Sequence, residues 1–387
     1  MIVSVFFYLP FSVCLFWLVL FFVDFRKADP AKRFLTFFLL VCAVLYFSHA
    51  VYFSRNTYLF SFLESIYTFC TLAVYPLYFL YICKLTDEKP LPVYRYWVLL
   101  PALFVSLLSV VFYSMMSESE RISFVERYFY YQATPVHPLS FAETGQLYRT
   151  RIMKVLFIVQ LIPVCYFGLK RLIRFNEQIN NFYADTDERT LAPIRVLLVL
   201  FIVFALLSAA ANQLGRDFFA RAPWLVAIPS VFFSSMIFAV SYIGHKQRFT
   251  AVDFRRATEA AGQEDVNPAD SSKEVLMARI RVLMEEEMLF RKKDLHISDV
   301  AKGAGSNRTY VSNYVNQELK LSFSDYINTY RVRYAQSLMT LPGNPLSLFE
   351  IADRSGFASE VSFYRNFKKI AGTTPADWLR KQAAVEP

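Results

Sequence analysis

Glycine is scarce in this chain, with ten residues in 387. So few leave little scope for the Gly-rich loops that cradle phosphates in nucleotide-dependent enzymes. The four histidines, His49, His137, His245 and His296, are too scattered to predict a metal cluster. The five cysteines (Cys14, Cys42, Cys70, Cys83, Cys165) contain no Cys-x-x-Cys pair. Neither a zinc site nor a disulfide framework follows from that spacing, and the thiols are expected to pack as small hydrophobes. Charged residues make up only 19%, below the roughly one quarter usual in globular chains. Disordered and disulfide-rich secreted classes are thereby excluded, and a purely cytosolic enzyme is disfavoured. With no nucleophile constellation in view, no catalytic residue, metal or cofactor is expected.

What the sequence has instead is apolar bulk: 55% hydrophobic residues, 40 Phe and 24 Tyr, and a mean hydropathy of +0.32. Charge thins out as far as residue 244 and is dense afterwards. A membrane-crossing helix needs about 20 mostly apolar residues. Seven runs qualify: Ile2–Val23, Phe34–Ser54, Leu59–Cys83, Tyr96–Ser117, Ile152–Leu169, Val196–Gly215 and Ala222–Gly244. The first has neither a basic leader nor a small-x-small cleavage site, so it reads as a span and not as a signal peptide. Basic residues gather in the loops after spans one, three and five: Arg26, Lys27, Lys32 and Arg33; Lys84, Lys89 and Arg95; Lys170, Arg171, Arg174, Arg189 and Arg195. The opposite loops after spans two and six offer Arg55, Arg216 and Arg221, and the remaining one, about residues 118–151, mixes Arg with Glu and is long, so it weighs less. That bias predicts an N-terminus outside and everything after residue 244 in the cytoplasm. The net charge of +9 suits either nucleic acid or an anionic membrane surface.

In that orientation His49, Glu64, Asn212 and Gln213 fall at a similar depth near the outer ends of their spans. Ionisable groups at membrane depth are costly and often functional. A small-molecule pocket lined by these four is one reading, and ordinary wet helix ends are the other. Residues 245–272 are polar, with Arg248, Arg255 and Arg256 next to the last span, and predict a solvated tether facing the anionic inner leaflet.

Residues 273–387 carry the specific signal. Leu276, Ile280, Leu283 and Met284 define one face of an amphipathic helix. Two similar units follow. The first, Val300-Ala301-Lys302-Gly303-Ala304-Gly305, leads into a helix predicted over Asn307–Glu318; the second, Ile351-Ala352-Asp353-Arg354-Ser355-Gly356, into one over Ser359–Ile370. Each is a short helix, a small residue for close packing, a Gly for the turn, and a second helix. Ser347 and Glu350 form a capping-box pattern ahead of the second unit, and a helix over Phe323–Met339 joins the two, ending at Pro342-Gly343-Asn344-Pro345.

These residues, with Tyr310, Val311-Ser312, Phe323, Tyr326, Arg331, Ala335, Phe357, Phe363, Phe367, Gly372 and Thr374-Pro375, resemble the DNA-binding domain of the AraC/XylS family of bacterial transcription regulators. Two departures stand out: Lys320 occupies the place corresponding to Gly372, and Leu379 stands where the family often has Arg. The resemblance implies that the second helix of each unit enters a major groove. Thr309, Ser312 and Asn313 would then face bases in the first unit, and Glu360, Val361, Tyr364 and Arg365 in the second. Arg308, Lys368 and Lys369 would contact phosphates, which give affinity without sequence information. Phe363, Phe367 and Val311 read as core.

The expected fold is thus all-α: a seven-helix transmembrane bundle (residues 1–244), the tether (245–272) and a cytoplasmic double helix-turn-helix domain (273–387). The expected protein is a bacterial inner-membrane, multi-pass transcription regulator. Double-stranded DNA, the lipid bilayer, a second copy in a homodimer and an unidentified small-molecule or membrane signal are its partners. The alternative is a seven-span transporter or receptor whose helical tail is a regulatory or protein-interaction module.

Overall fold

The structure, a computed structural model, describes residues 2–131, 138–211, 223–262, 273–341 and 345–383. The chain forms two compact units, residues 1–173 with 191–248, and residues 174–190 with 249–387. Among the described residues, helix is the only extended regular structure, apart from one isolated antiparallel bridge between Tyr183 and His296.

The first unit contains α1 (Ile2–Val23), α2 (Pro30–Phe53), α3 (Thr57–Thr86), a 3₁₀ segment (Val93–Leu99) leading into α4 (Leu100–Ser114), α5 (Glu118–Phe124), most of α6 (Phe141–Phe182), α7 (Ala192–Ala211) and α8 (Pro223–Lys246). Local chemistry sets the starts. The Asp29 carboxylate accepts the Lys32 N–H at 2.9 Å, and Pro30 occupies the first turn of α2, where a missing N–H costs nothing. The Asn56 side chain accepts the Leu59 N–H at 3.0 Å to begin α3. Between them Arg55 takes a left-handed conformation, φ 59°, which closes a short antiparallel hairpin. α2 packs on α1 and α3, α1 on α8, and α3 on α4.

Seven helices are long and apolar enough to cross a membrane: α1, α2, α3, the 93–114 segment, α6, α7 and α8 with the residues that follow it. The fifth differs from its predicted extent. Instead of Ile152–Leu169, α6 runs for 42 residues. The flanking polar stretches stay helical because they carry their own inward face: Ala142, Gln146 and Arg149 before the apolar run, and Leu172, Phe175 and Ile179 after it, are all buried.

The second unit contains the C-terminal end of α6 from Arg174 and the segment to Thr190. It continues with α9 (Ala251–Gly262), α10 (Lys273–Glu285), a 3₁₀ turn (Leu289–Arg291), α11 (Ile297–Gly303), α12 (Arg308–Asn313, extended by a π turn to Glu318), α13 (Phe323–Met339), α14 (Leu348–Arg354), α15 (Glu360–Ala371) and α16 (Pro375–Ala383). The tether expectation needs correcting over α9. There Thr250 caps the helix through Asp253, its N–H donating at 3.0 Å and its hydroxyl at 2.8 Å. Phe254 is buried against the rings of Phe175, Phe182 and Tyr183. One aromatic residue in a polar stretch was enough to dock it. Residues 263–272 lie outside the described residues.

The predicted linker helix coincides with α13. Ser347 and Glu350 form the predicted capping box, Ser347 N–H to Glu350 Oε2 at 2.8 Å and Glu350 N–H to Ser347 Oγ at 3.2 Å. The Ser347 N–H and hydroxyl both donate to the Glu350 carboxylate and hold it below its usual pKa. Val332, Ala335, Leu338, Ile351, Ala352, Phe357, Phe363 and Phe367 make a core between α13, α14 and α15.

Two turn positions decide the geometry. Gly356 has φ 87°, and a Cβ there would lie 2.7 Å from the Arg291 backbone. Lys320 adopts φ 54° where Gly372, its counterpart, has 75°, so the replacement of Gly by Lys keeps the left-handed turn at the expense of strain. Gly356→Ala should destabilise the chain by about 2–4 kcal/mol, from the left-handed backbone and the overlap together. Lys320→Gly should stabilise it by about 0.5–1 kcal/mol. Opposite shifts of the denaturation midpoint of the purified full chain are the expected result, and a loss of stability in Lys320→Gly would contradict the strain.

Candidate nucleic-acid interface

In the first helix-turn-helix unit, Val300 and Ala301 of α11 and Val311 and Val315 beyond the turn are buried together. The Asn307 side chain caps α12, accepting the Tyr310 N–H at 3.1 Å. With Val311 turned inward, the opposite face of α12 puts Arg308, Thr309 and Asn313 in solvent and leaves Ser312 half-buried. Ser312 Oγ accepts from Asn316 Nδ2 at 2.9 Å, which fixes its rotamer.

The second unit repeats the arrangement. The Ser359 side chain accepts the Ser362 N–H at 3.1 Å to start α15. Phe363 and Phe367 are fully buried, as core residues should be. Glu360, Val361, Arg365, Lys368 and Lys369 are exposed, and Tyr364 is half-buried. An exposed Val361 beside exposed Glu360 and Arg365 gives α15 an outward face with both apolar and charged contacts. Lys369 is less free than its sequence position implied, since it pairs with Asp325 of α13.

Arg331 supports both units from inside. Its guanidinium is fully buried and donates from Nε to Phe290 O at 2.8 Å and from Nη2 to Lys292 O at 2.7 Å. Burial lowers its pKa to about 10, with Asp185 acting in the opposite direction, so it stays charged at neutral pH and staples the loop before α11 onto α13.

A contact absent from the sequence reading lies on the same face. Asp187 pairs with Arg365, and the Arg308 guanidinium sits over the Phe182 ring, 5.9 Å from its centre. The segment that supplies both is anchored on the helix-turn-helix domain. Ala184 N–H donates to Leu295 O at 3.0 Å, and its carbonyl accepts from Ser324 Oγ at 2.9 Å and Asn328 Nδ2 at 3.2 Å. Arg189 pairs with Asp294 at 2.8 Å. His296 packs against Phe182 and Tyr183, and burial lowers its pKa despite the neighbouring Asp294 and Asp299.

Of the four residues expected at one membrane depth, the two that are described, Glu64 and His49, have different surroundings. Glu64 is buried with 0% of its side chain exposed, and Arg149 with 1%, in an ion pair of 2.7 Å. Thr68 and Ser109 hydroxyls donate to the same carboxylate at 3.2 and 2.8 Å, and Arg149 also donates to Thr68 Oγ1 at 2.7 Å and to Gln146 Oε1 at 2.9 Å. Glu64 is therefore spent on joining α3, α4 and α6. His49 instead stacks on Tyr67 at 5.7 Å and lines a cavity of about 320 Å³ with Tyr46, Tyr75, Lys154, Phe201 and Phe233. Asn212 and Gln213 lie outside the described residues. Arg149 precedes the apolar run that defined the fifth span, so a search for apolar runs passes over it; a lone acid in span three was the signal that a cation had to be nearby. Among the described residues no cluster of His, Cys, Asp and Glu has metal-binding geometry.

Residues 300–381 match the Helix-turn-helix domain family. The chain is 27% identical over 94 residues to an uncharacterised HTH-type transcriptional regulator, YtdP, of Bacillus subtilis (strain 168), covering 24% of this chain and 12% of that protein. It is 29% identical over 93 residues to an uncharacterised HTH-type transcriptional regulator of Staphylococcus aureus, again 24% of this chain and 12% of the relative. Over 87 residues it is 29% identical to the Msm operon regulatory protein of Streptococcus mutans serotype c, covering 22% and 31%. The chain thus spans about an eighth to a third of the length of these curated relatives. No solved structure matches. Helix-turn-helix transcription regulators of this kind bind DNA and are not enzymes.

Breaking one side of the interior ion pair leaves the other charge buried without its partner, which costs about 3–5 kcal/mol. Glu64→Gln and Arg149→Met should each lower the thermal midpoint of the detergent-purified chain strongly, while the double substitution recovers much of the loss. Additive losses in the double variant would show that the two charges are not coupled.

Proposed function

We propose that the protein is a membrane-embedded, sequence-specific DNA-binding transcription regulator of the bacterial inner membrane. The observation that carries this reading is the shared exposure of the two second helices. Arg308, Thr309 and Asn313 on α12, and Glu360, Val361, Arg365 and Lys368 on α15, stand outward while Val311, Phe363 and Phe367 are buried. Exposed Arg, Asn and Glu on a helix that fits a major groove have matching partners on guanine, adenine and cytosine edges. Thr309, Ser312 and Asn313, with Glu360, Val361, Tyr364 and Arg365, are the base-facing set; Arg308, Lys368 and Lys369 are the phosphate-facing set. The long helix α13 joins the units, so they would address groove segments about one helical turn, roughly 34 Å, apart.

Seven helices long and apolar enough to cross a membrane support a membrane-held reader, and the basic loops favour an N-terminus outside and the reader in the cytoplasm. The cavity containing His49 is the place for a mostly apolar signal molecule. Such a ligand acts only if it binds one arrangement of the helices better than another. A second copy of the chain would supply the symmetry that operators commonly mirror.

Mapping DNA occupancy in cells for the full chain, wild type and Arg365→Ala, tests the reading. A shared motif is expected for the wild type. The variant should lose discrimination at one base position, worth about 1–3 kcal/mol. No recoverable motif would sink the regulator reading, and an equal loss on all sequences would move Arg365 to the phosphate-facing set.

A further inference from the structure

We infer that residues 183–190 form an internal latch that holds the DNA-reading face closed, with Asp187 occupying Arg365 in place of a base edge. The inference rests on the DNA-binding reading above and adds a regulated state to it. Its first support is the anchoring of the segment. Phe182, Tyr183, Ala184, Asp185 and Thr186 are all buried, and the hydrogen bonds at Ala184, on both its N–H and its carbonyl, are made to the helix-turn-helix domain. A segment that merely passed by would leave those groups to water.

The second support is where the anchored segment reaches. Arg308 in the first unit and Arg365 in the second are the outward arginines of α12 and α15, and both are engaged here, Arg308 by the ring of Phe182 just before the segment and Arg365 by the Asp187 carboxylate within it. A guanidinium that reads guanine offers its N–H groups to base acceptors, and here its Nη1 is turned to the Asp187 carboxylate instead. Arg365 cannot serve both. Asp187 is the anionic competitor, and Arg189, paired with Asp294, ties down the far end of the segment.

The third support is the balance of strengths. Arg365 remains half exposed, and an ion pair at such a surface is weak enough to exchange. The hydrogen bonds at Ala184 and the packed rings of Phe182, Tyr183 and His296 hold the latch down. A weak blocking contact on a firmly seated segment is the arrangement that lets release be switched by the seat. The seat is continuous in sequence with α6 on one side and α7 on the other, two of the seven apolar helices. By linkage, whatever favours release favours DNA, and DNA favours release to the same degree.

The test uses the full chain in lipid nanodiscs, as wild type, Asp187→Asn and Ala184→Pro. Each enriches a duplex from a randomised pool about 30 base pairs long, enough for two major-groove contacts, and the Kd for the enriched duplex is then measured. Asp187→Asn removes the competing charge and should tighten binding about two- to fivefold. Ala184→Pro removes the N–H given to Leu295 and should tighten it about tenfold or more. Amide exchange across 183–190 should also speed up when the wild type binds DNA. Equal or weaker binding by Asp187→Asn, with unchanged helicity, overturns the latch even if Ala184→Pro does not fold. Failure of every chain to enrich any duplex overturns the DNA-binding reading and the latch with it, whereas equal affinities overturn the latch alone.

Discussion

A polar group taken out of water has to be answered from inside the protein, and that constraint shapes both units of this chain. In the first, the Glu64 carboxylate would be prohibitively costly in an apolar interior without Arg149, Thr68 and Ser109 around it. Satisfying it fixes the register of α3 against α4 and α6. In the second, Nε and Nη2 of the Arg331 guanidinium are answered by the carbonyls of Phe290 and Lys292, which positions the segment entering the first helix-turn-helix unit. The Ala184 carbonyl is answered by Ser324 and Asn328. In each place a hydrogen-bonded group gives little net stability and a great deal of positional definition.

That definition lets the outward faces be chemically rich. α15 buries Phe363 and Phe367 against the core of α13 and α14, so its other side need not contribute to folding and carries Glu360, Val361, Arg365 and Lys368. The same division holds in α12, where Val311 is the inward residue. The two units differ in their turns: Gly372 reaches its left-handed conformation freely, while Lys320 is held there against its preference. Packing overrides local propensity at that point, because the chain must leave the π turn after α12 and start α13 at Ser322 within a few residues.

Periodicity and turn chemistry carried much of this architecture in legible form. Seven apolar runs led to seven long apolar helices, the Ser347–Glu350 box and the α13 limits could be read from local residue types, and Phe363 and Phe367 followed from amphipathic spacing. Interactions between distant positions left no such trace. Arg149 and Glu64 are 85 positions apart, and nothing periodic links them. Lys369, given to phosphate by the family resemblance, is drawn to Asp325 across 44 positions. The segment 183–190 looked like an ordinary basic-flanked loop, since its role lies in the backbone groups of Ala184 and in one carboxylate. The α9 segment read as a tether because its composition is polar, and a single Phe254 decided otherwise.

The division of labour between His49 and Glu64 bears on how a signal would be read. Had both lined one pocket, a ligand would have had to compete with a buried salt bridge, and binding would have carried the cost of exposing Arg149. With Glu64 committed to Arg149, the cavity around His49 is bounded by aromatic rings, hydroxyls and Lys154, and a ligand can enter it without breaking an ion pair. The free energy of such binding is then available to bias helix arrangement. To shift a closed reader from nearly all latched to nearly all open, a ligand must prefer the open arrangement by about 5.5 kcal/mol. A latch whose blocking contact is a half-exposed Asp–Arg pair lowers that requirement, because the pair itself contributes only a fraction of it. The burden falls on the seat at Ala184, on the segment whose two ends continue into apolar helices.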